Sequence, residues 1–299
     1  MAVPQDTRLT YGAVGIREDL SNIIYNIAPE ETPFMSGIGR SSCDNTYFEW
    51  QTDTLNGGND NRKLEGDDAT IIPVDEPERI GNWTQISTKA VQSSGTAEAV
   101  DFAGRKSTQA YQMAKRAKEL KLDMESMFLE LAEAGSAGTS SAARATKSVG
   151  SWIQSNTVVG TVVDEDDIRV VMEKCWEAGA KPDILMVDGV VKQEISKLSQ
   201  SVSQLQTTAN NKSPAYVVAA VDIYVSDFGN LKIVPNRLMP AQTGYFFDYE
   251  YWDIAYLRPF MTHSLARTGD SISQLLVVEY GLRSKNEEAN GKVTGWAAP

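Results

Sequence analysis

A single histidine, His263, must carry any imidazole chemistry this chain performs, because a Ser-His-Asp triad, an imidazole-bound zinc or a histidine acid-base pair all need that ring. Asp270 is the carboxylate placed to orient it, which makes a hydrolase the catalytic reading. No nucleophile motif accompanies the pair: the chain has no Gly-x-Ser-x-Gly elbow, no Cys-x-x-Cys and no glycine loop ending in Gly-Lys-Ser/Thr. Asp164, Glu165, Asp166 and Asp167 could attract calcium or magnesium, but they lack the EF-hand spacing, and capping plus the helix macrodipole explain them. Gly37-Ile38-Gly39 resembles the opening of a dinucleotide loop without its third glycine, its preceding strand or its following helix. Lys115, Arg116, Lys118 and Lys121 form a basic cluster that either faces nucleic acid or is a solvated helix face. Cys43 and Cys175 read as buried or half-buried thiols. No catalytic, cofactor-binding or metal-binding residue is assigned, and no cofactor is expected.

The elements around these residues are more unusual than the residues themselves. The chain has 299 residues, 41% hydrophobic and 23% charged, enough for one large folded unit or two lobes. No apolar run is long enough to span a bilayer, and the start MAVPQDTRLTYGAV lacks the pattern of a secretory signal, so the chain reads as cytoplasmic. A net charge of -12, from 40 acidic and 28 basic residues, excludes a protein that grips phosphate through its overall field. The same charge makes copies repel, so self-association requires apolar contacts that outweigh the repulsion.

Residues 1–30 read as an arm, with NIIYNIAP (22–29) the one apolar patch and Pro29 and Pro33 interrupting any helix. ETPFMSGIGR continues it in an extended form, with Gly37 and Gly39 allowing bends. YFEWQTDTL then alternates as a half-buried strand with Phe48, Trp50, Thr52 and Thr54 on one face. A long polar excursion, NGGNDNRKLEGDDA (56–69), leads back to the β-rich NWTQISTKAVQSSGT (82–96). From about Arg105 to Glu133 the chain has neither Pro nor Gly, and Leu120, Met124, Met127, Phe128 and Leu131 recur at helical spacing. Such a helix of roughly 27 residues would be about 40 Å long.

GSAGTSSAARATKSVGS (135–151) stops that helix. A second lobe follows, with Ile168, Val171, Met172, Cys175 and Trp176 on one helical face before the buried-strand run DILMV. VVKQEISKLSQSV reads as a helix, AYVVAAVDIYVSD and LKIVPNR as strands joined by DFGN, and the last fifth as β-rich with a tight Asn-Gly turn near its end. An arm, an extended excursion and a very long helix cost a monomer much conformational entropy and become favourable when neighbours cover them. Residues 1–95 therefore read as interface-building elements, and wrapping interfaces of this kind commonly exceed about 2,000 Å².

The blocks ETPFMSGIGR, TYFEWQTDTL, SGTAEAVDFAGRKSTQAYQMAKRAKELKLDMESMFL (94–129), WEAGAKPDILMV (176–187), VDIYVSDFGNLKIVPNR (221–237), WDIAYLRPFMTHSLARTGDS (252–271) and EYGLRSKNEEANGKV (279–293) resemble, in this order, the major capsid proteins of tailed bacteriophages. The resemblance covers nearly the whole chain. It implies an α+β chain of the Hong Kong 97-type fold, divided into an N-terminal arm (1–46), an extended β loop (47–93), a first part of the peripheral domain with a long spine helix (94–151), an axial domain (152–243) and a second part of the peripheral domain (244–299). It implies a head protein that assembles with itself into hexamers and pentamers of an icosahedral shell. Packaged double-stranded DNA, pumped in through a portal protein, is then enclosed without being read.

Under that resemblance the virion capsid is the destination and the host cytoplasm the place of assembly. Nothing like the helical, charged scaffolding segment of some relatives precedes the arm, so either scaffolding is a separate protein or this form needs none; separate scaffolding and decoration proteins are thus partners that the resemblance leaves open. No residue is assigned to the Lys-Asn cross-links that other relatives make. The candidates for contact between subunits are Phe34, Met35, Ile38, Trp50, Leu64 and Trp83, with the apolar arm residues docking on the spine helix of their own or a neighbouring copy. An encapsulin-type compartment shell is the alternative within the fold, and a hydrolase using His263 the alternative outside it.

Overall fold

A computed structural model describes residues 31–297 apart from 54, 56–59, 61, 64, 67–75, 204–221 and 268. The expectations for residues 1–30, for Leu64 and for AYVVAA (215–220) lie outside the described residues. In chain order the elements are α1 (Pro33–Gly37), β1 (Gly39–Ser42), β2 (Tyr47–Thr52), β3 (Glu78–Trp83), β4 (Gln85–Ser94), α2 (Gly95–Ala99), α3 (Thr108–Leu129), β5 (Ala134–Ser136), β6 (Ala145–Lys147) and α4 (Val149–Trp152). They continue with β7 (Thr157–Val159), α5 (Glu165–Glu177), β8 (Ile184–Val187), α6 (Gly189–Ser203), β9 (Ile223–Ser226), β10 (Gly229–Pro235), β11 (Thr243–Phe247), β12 (Trp252–Ser264), β13 (Ser271–Ser284) and β14 (Gly291–Thr294).

The long helix forms where the spacing predicts it but is shorter at both ends. Ser107 caps it, its Oγ accepting the Ala110 N–H at 3.1 Å, and Glu130 turns to an extended conformation. Its inner face is Leu120, Met124, Phe128 and Leu129, while Leu131 lies beyond the helix and is partly exposed. The segment expected only as a stop also folds, because β5 and β6 pair antiparallel.

Two larger sheets organise the described residues, with orders β1-β12-β13-β4 and β7-β14-β11-β8-β10-β9. In the first, β12 and β13 form a long antiparallel pair, β1 joins β12 in parallel and β4 joins β13. The second contains the strands of the 152–243 region, and β11 and β14 pair into it. A division at 243/244 therefore falls inside β11.

Two hydrophobic clusters share a wall. Every residue of β11 is buried, as the unbroken apolar run YFF requires of a strand covered on both faces. Tyr245 and Phe247 enter one cluster with Phe34, Met124, Phe128, Trp252 and Tyr280, whereas Phe246 enters the other with Val171, Cys175, Ile233 and Trp296. On β8, Met186 belongs to the first cluster and Leu185 and Val187 to the second. Period-two alternation thus sends one sheet into both cores.

Several local expectations change. ETPFMSGIGR is not extended throughout: Pro33 opens the short helix α1, where its missing N–H costs nothing. Gly37 serves close approach, since a Cβ there would meet the Tyr249 ring at 2.1 Å. Trp176 leaves the buried face of α5 and packs against Phe228 on the surface, ring centroids 5.5 Å apart. The Asn-Gly step is not a hairpin turn; a 3-10 turn at Glu287–Ala289 links β13 of one sheet to β14 of the other, and Asn290 is extended and buried.

Candidate inter-subunit surface

Phe34, Met35 and Ile38 are buried within their own chain. The Phe34 ring lies 4.9 Å from Phe247, 5.9 Å from Trp252 and 6.4 Å from Phe128, centroid to centroid. Of the two docking surfaces open to these residues, the one they occupy is the long helix of their own subunit and the strands beside it. Phe34 has no exposed area and Met35 and Ile38 are each 6% exposed, so these side chains are committed to the core of their own chain. The site is fixed by a polar anchor that sequence reading missed: Glu125, a buried carboxylate on α3. It accepts the backbone N–H groups of Phe34 at 2.9 Å and Met35 at 2.8 Å and the Asn236 Nδ2 at 2.8 Å. Burial pushes its pKa up, opposed by these three hydrogen bonds. In sequence Glu125 falls among charged residues on an amphipathic helix, with nothing to distinguish a buried carboxylate from a solvated one.

Trp50 and Trp83 stand at the root of the excursion, on paired strands β2 and β3. Trp50 stacks on Phe48 at 5.7 Å and meets Trp152 at 5.5 Å, and Trp83 lies 4.5 Å from Tyr47. Both are half-buried, so part of each ring stays open. Asn82 holds this root to the body. Its Nδ2 donates to Thr146 Oγ1 and the Leu282 carbonyl, and its Oδ1 accepts from the Trp83 and Lys147 N–H groups.

The most exposed apolar residues lie elsewhere. Ile223 and Val225, 62% and 73% exposed, occupy β9 at one edge of the six-stranded sheet; Val159, 82% exposed, occupies β7 at the other. Leu55, 98% exposed, lies just beyond β2. Edge strands with bare β-branched residues template pairing with another chain unless something covers them. Sequence reading found the β9 strand but not its exposure, because alternation looks the same on an edge strand as on an inner one.

The residues first read for chemistry are dispersed. His263 is exposed near the end of β12, opposite Leu275, and among the described residues no hydrogen bond joins it to Asp270. Asp270 instead gives its backbone carbonyl to the Gly95 N–H. Asp164 takes the N-cap position of α5 without a side-chain capping bond, and Glu165, Asp166 and Asp167 fill the first turn, where the macrodipole favours them. Two of these carboxylates tie down the lobe: Glu165 accepts from the Tyr224 hydroxyl at 2.8 Å and Asp167 from the Trp296 indole at 2.9 Å. Among the described residues no group of three or more His, Cys, Asp or Glu side chains is arranged to hold a metal. No helix among them is long and apolar enough to cross a membrane.

A model of the SU10 major capsid protein family matches residues 3–297. The chain belongs to that family. It is 27% identical to the major capsid protein of Escherichia phage Phieco32 over 95% of both chains. In fold it is similar to the capsid subunit of cyanophage A-1(L), with a TM-score of 0.69 at 10% identity, covering 94% of this chain and 97% of that one. It is also similar to the SrpI encapsulin of Synechococcus elongatus, with a TM-score of 0.56 at 8% identity over 91% and 92%. The α+β Hong Kong 97-type architecture is therefore that of the family, and the SU10-family chain is a phage capsid protein that forms a shell.

Proposed function

We propose that copies of this chain close an icosahedral shell of hexamers and pentamers around double-stranded DNA, which enters through a portal protein at one vertex. The observation that carries this reading is the family match along nearly the entire chain. The exposed apolar edges β7 and β9, in a chain whose net charge of -12 sets copies against one another, supply the attraction that assembly needs. Residues 152–243 with β11 and β14 form the axial domain. The long helix with the four-stranded sheet forms the peripheral domain, and the excursion from β2 to β3 lies across a neighbour. Trp50, Trp83 and Leu64 take part in that contact, whereas the arm before residue 31 reaches an adjacent subunit. Assembly takes place in the host cytoplasm, with separate scaffolding and decoration proteins as further partners.

Many modest contacts acting together close such a lattice while single misplaced contacts still dissociate. The role is structural rather than catalytic, and His263 has no part in it. An encapsulin-type shell around enzymes is the second reading, favoured by the fold likeness to SrpI; the phage relative, matched over 95% of both chains, favours DNA as the content.

Electron microscopy of the expressed protein, alone and with its scaffold, tests the proposal. Closed particles or rings of five and six subunits are expected. A discrete monomer under every condition overturns it, and particles that take up a protein cargo but never DNA decide for the second reading.

A further inference from the structure

Just before α3 the chain makes a tight turn whose ends pair, Phe102 with Arg105, and whose third residue, Gly104, has a φ of 78°. Glycine suits that position because the conformation is costly for a side chain. The turn folds Arg105 back over Phe102, its guanidinium carbon 4.4 Å from the ring centroid and 6.0 Å from that of Tyr111. A guanidinium laid on two rings is held in one plane and loses little freedom when it binds.

Nothing in its own subunit uses this group. Arg105 is half-buried, makes no ion pair among the described residues, and its Nε is covered without an acceptor. Thr108 Oγ1, three residues on, is in the same state. Buried polar groups are normally paired, so two orphans this close need a reason. The carboxylates of the stretch are engaged elsewhere or turned to solvent: Glu98 accepts the Gln109 N–H at 3.3 Å, Glu119 takes Arg116 at 2.6 Å, and Asp101 is exposed. Thr108 also lines a groove of about 380 Å³ between α3 and the edge strand β4, together with Gln112, Arg116, Gln92 and Ser94. Arg116 supplies the one charge on its walls among the described residues, and Lys106 stands exposed next to Arg105.

We infer that the turn Phe102–Arg105 and this groove receive the acidic excursion of a second copy, with Arg105 taking one of its carboxylates. The inference rests on the reading that the excursion crosses a neighbour, and it adds where the excursion lands. Glu65, Asp67, Asp68, Asp75 and Glu76 stand between residues 64 and 77 with no cation among them. The described part of the excursion sits clear of its own body, since Leu55 is 98% exposed and Asp60 pairs with Arg62 of the same segment. A planar fork matches a carboxylate with two parallel hydrogen bonds, which a lysine cannot make. In a chain with a net charge of -12, setting the acidic segment of one copy on a cation of the next also turns part of the repulsion into attraction.

The test assembles particles from a mixture of heavy-isotope and light-isotope full-length copies and treats them with a carbodiimide, which couples carboxylates to amines. Mass spectrometry should find heavy-to-light links from Lys106 in the parent, and from position 105 in Arg105→Lys, to one of the five carboxylates. Links that tie the excursion to another part of the second copy leave the crossing intact and overturn the Arg105 receptor. Links within single chains only, no links, or no oligomer overturn both. Arg105→Gln should raise the protein concentration needed for particles about tenfold, the size expected for a central interface arginine, with the unfolding midpoint of the free subunit unchanged. Assembly like the parent's overturns the inference. If Arg105→Gln lowers the midpoint instead, the Lys106 links of the parent decide alone.

Discussion

Glu125 receives the backbone N–H of Phe34 across 2.9 Å, so a helix carboxylate 91 residues downstream in the chain holds the segment that delivers a fully buried ring to the first core. Its second oxygen accepts Met35, and Asn236 completes the set. One side chain thereby joins α1, the long helix and the loop after β10.

Glu125→Gln should destabilise the subunit, because an amide nitrogen must face at least one of these donors. Leaving a buried donor unmatched costs about 1–3 kcal/mol. At roughly 2–4 °C per kcal/mol, differential scanning calorimetry will detect it. An unchanged midpoint would show that the segment is held by packing alone.

The pH dependence of that difference has a definite sign. Burial raises the Glu125 pKa above its ordinary 4.5, so the folded state binds the proton more tightly than the unfolded one. Its contribution is full below pH 4.5 and is lost as pH rises through the higher folded value. Glutamine has no such dependence. The stability gap between parent and Glu125→Gln should therefore be widest in acid and narrow toward neutrality, as denaturation at several pH values will show. A gap that widens with pH would refute the sign.

Phe34→Ala should cost about 3–5 kcal/mol, the range for emptying a buried aromatic site. The ring meets Phe128, Phe247, Tyr249 and Trp252, so the cavity lies between α3 and the strands of both sheets and cannot collapse locally. Urea denaturation is the measurement, and a loss below about 1 kcal/mol would mean that the site refills.

Truncations separate arm from core. Removing residues 1–30 leaves every described element in place and should yield a soluble, folded subunit that forms shells poorly. Removing residues 1–46 also deletes Phe34, Met35, Ile38 and β1, the parallel partner of β12, and should lower the unfolding midpoint sharply or cause aggregation. Equal midpoints for the two truncations would contradict the structural division.

Cys175 should resist thiol reagents. Burial pushes its pKa up to about 12, so thiolate is scarce at pH 8 and the sulfur is covered as well. The half-buried Cys43 is also raised, chiefly by burial. Titration with Ellman's reagent should be slow in the native protein, slower for Cys175, and rapid for both in denaturant.

What could be read in sequence was periodic. The face Leu120, Met124 and Phe128, the alternation around Trp50 and the β8 run ILMV all follow from local spacing, and the family blocks gave the fold that joins them. Relations set by distant chain segments were not legible. Glu125 looks like any helix glutamate until Phe34 arrives, and Asn290 looks like a turn residue until Trp252 donates its indole to it at 2.7 Å. Ile223 and Val225 read as an ordinary strand because whether an eighth or ninth strand is inner or outer depends on pairings far along the chain. The apolar arm residues could be seen to need a cover, but only the tertiary structure supplies Phe247 and Trp252 from two hundred residues away.

The strand order β7-β14-β11 carries a consequence for synthesis. β14, at residues 291–294, slots between strands made long before it, and Trp296 fills the core behind it. Until those residues leave the ribosome, β7 and β11 face a gap and the second core stays open. A nascent chain is thus unable to offer a finished lobe to its neighbours, and a copy ending before residue 291 should be left out of the lattice. Order of translation becomes a checkpoint on which subunits the growing shell accepts.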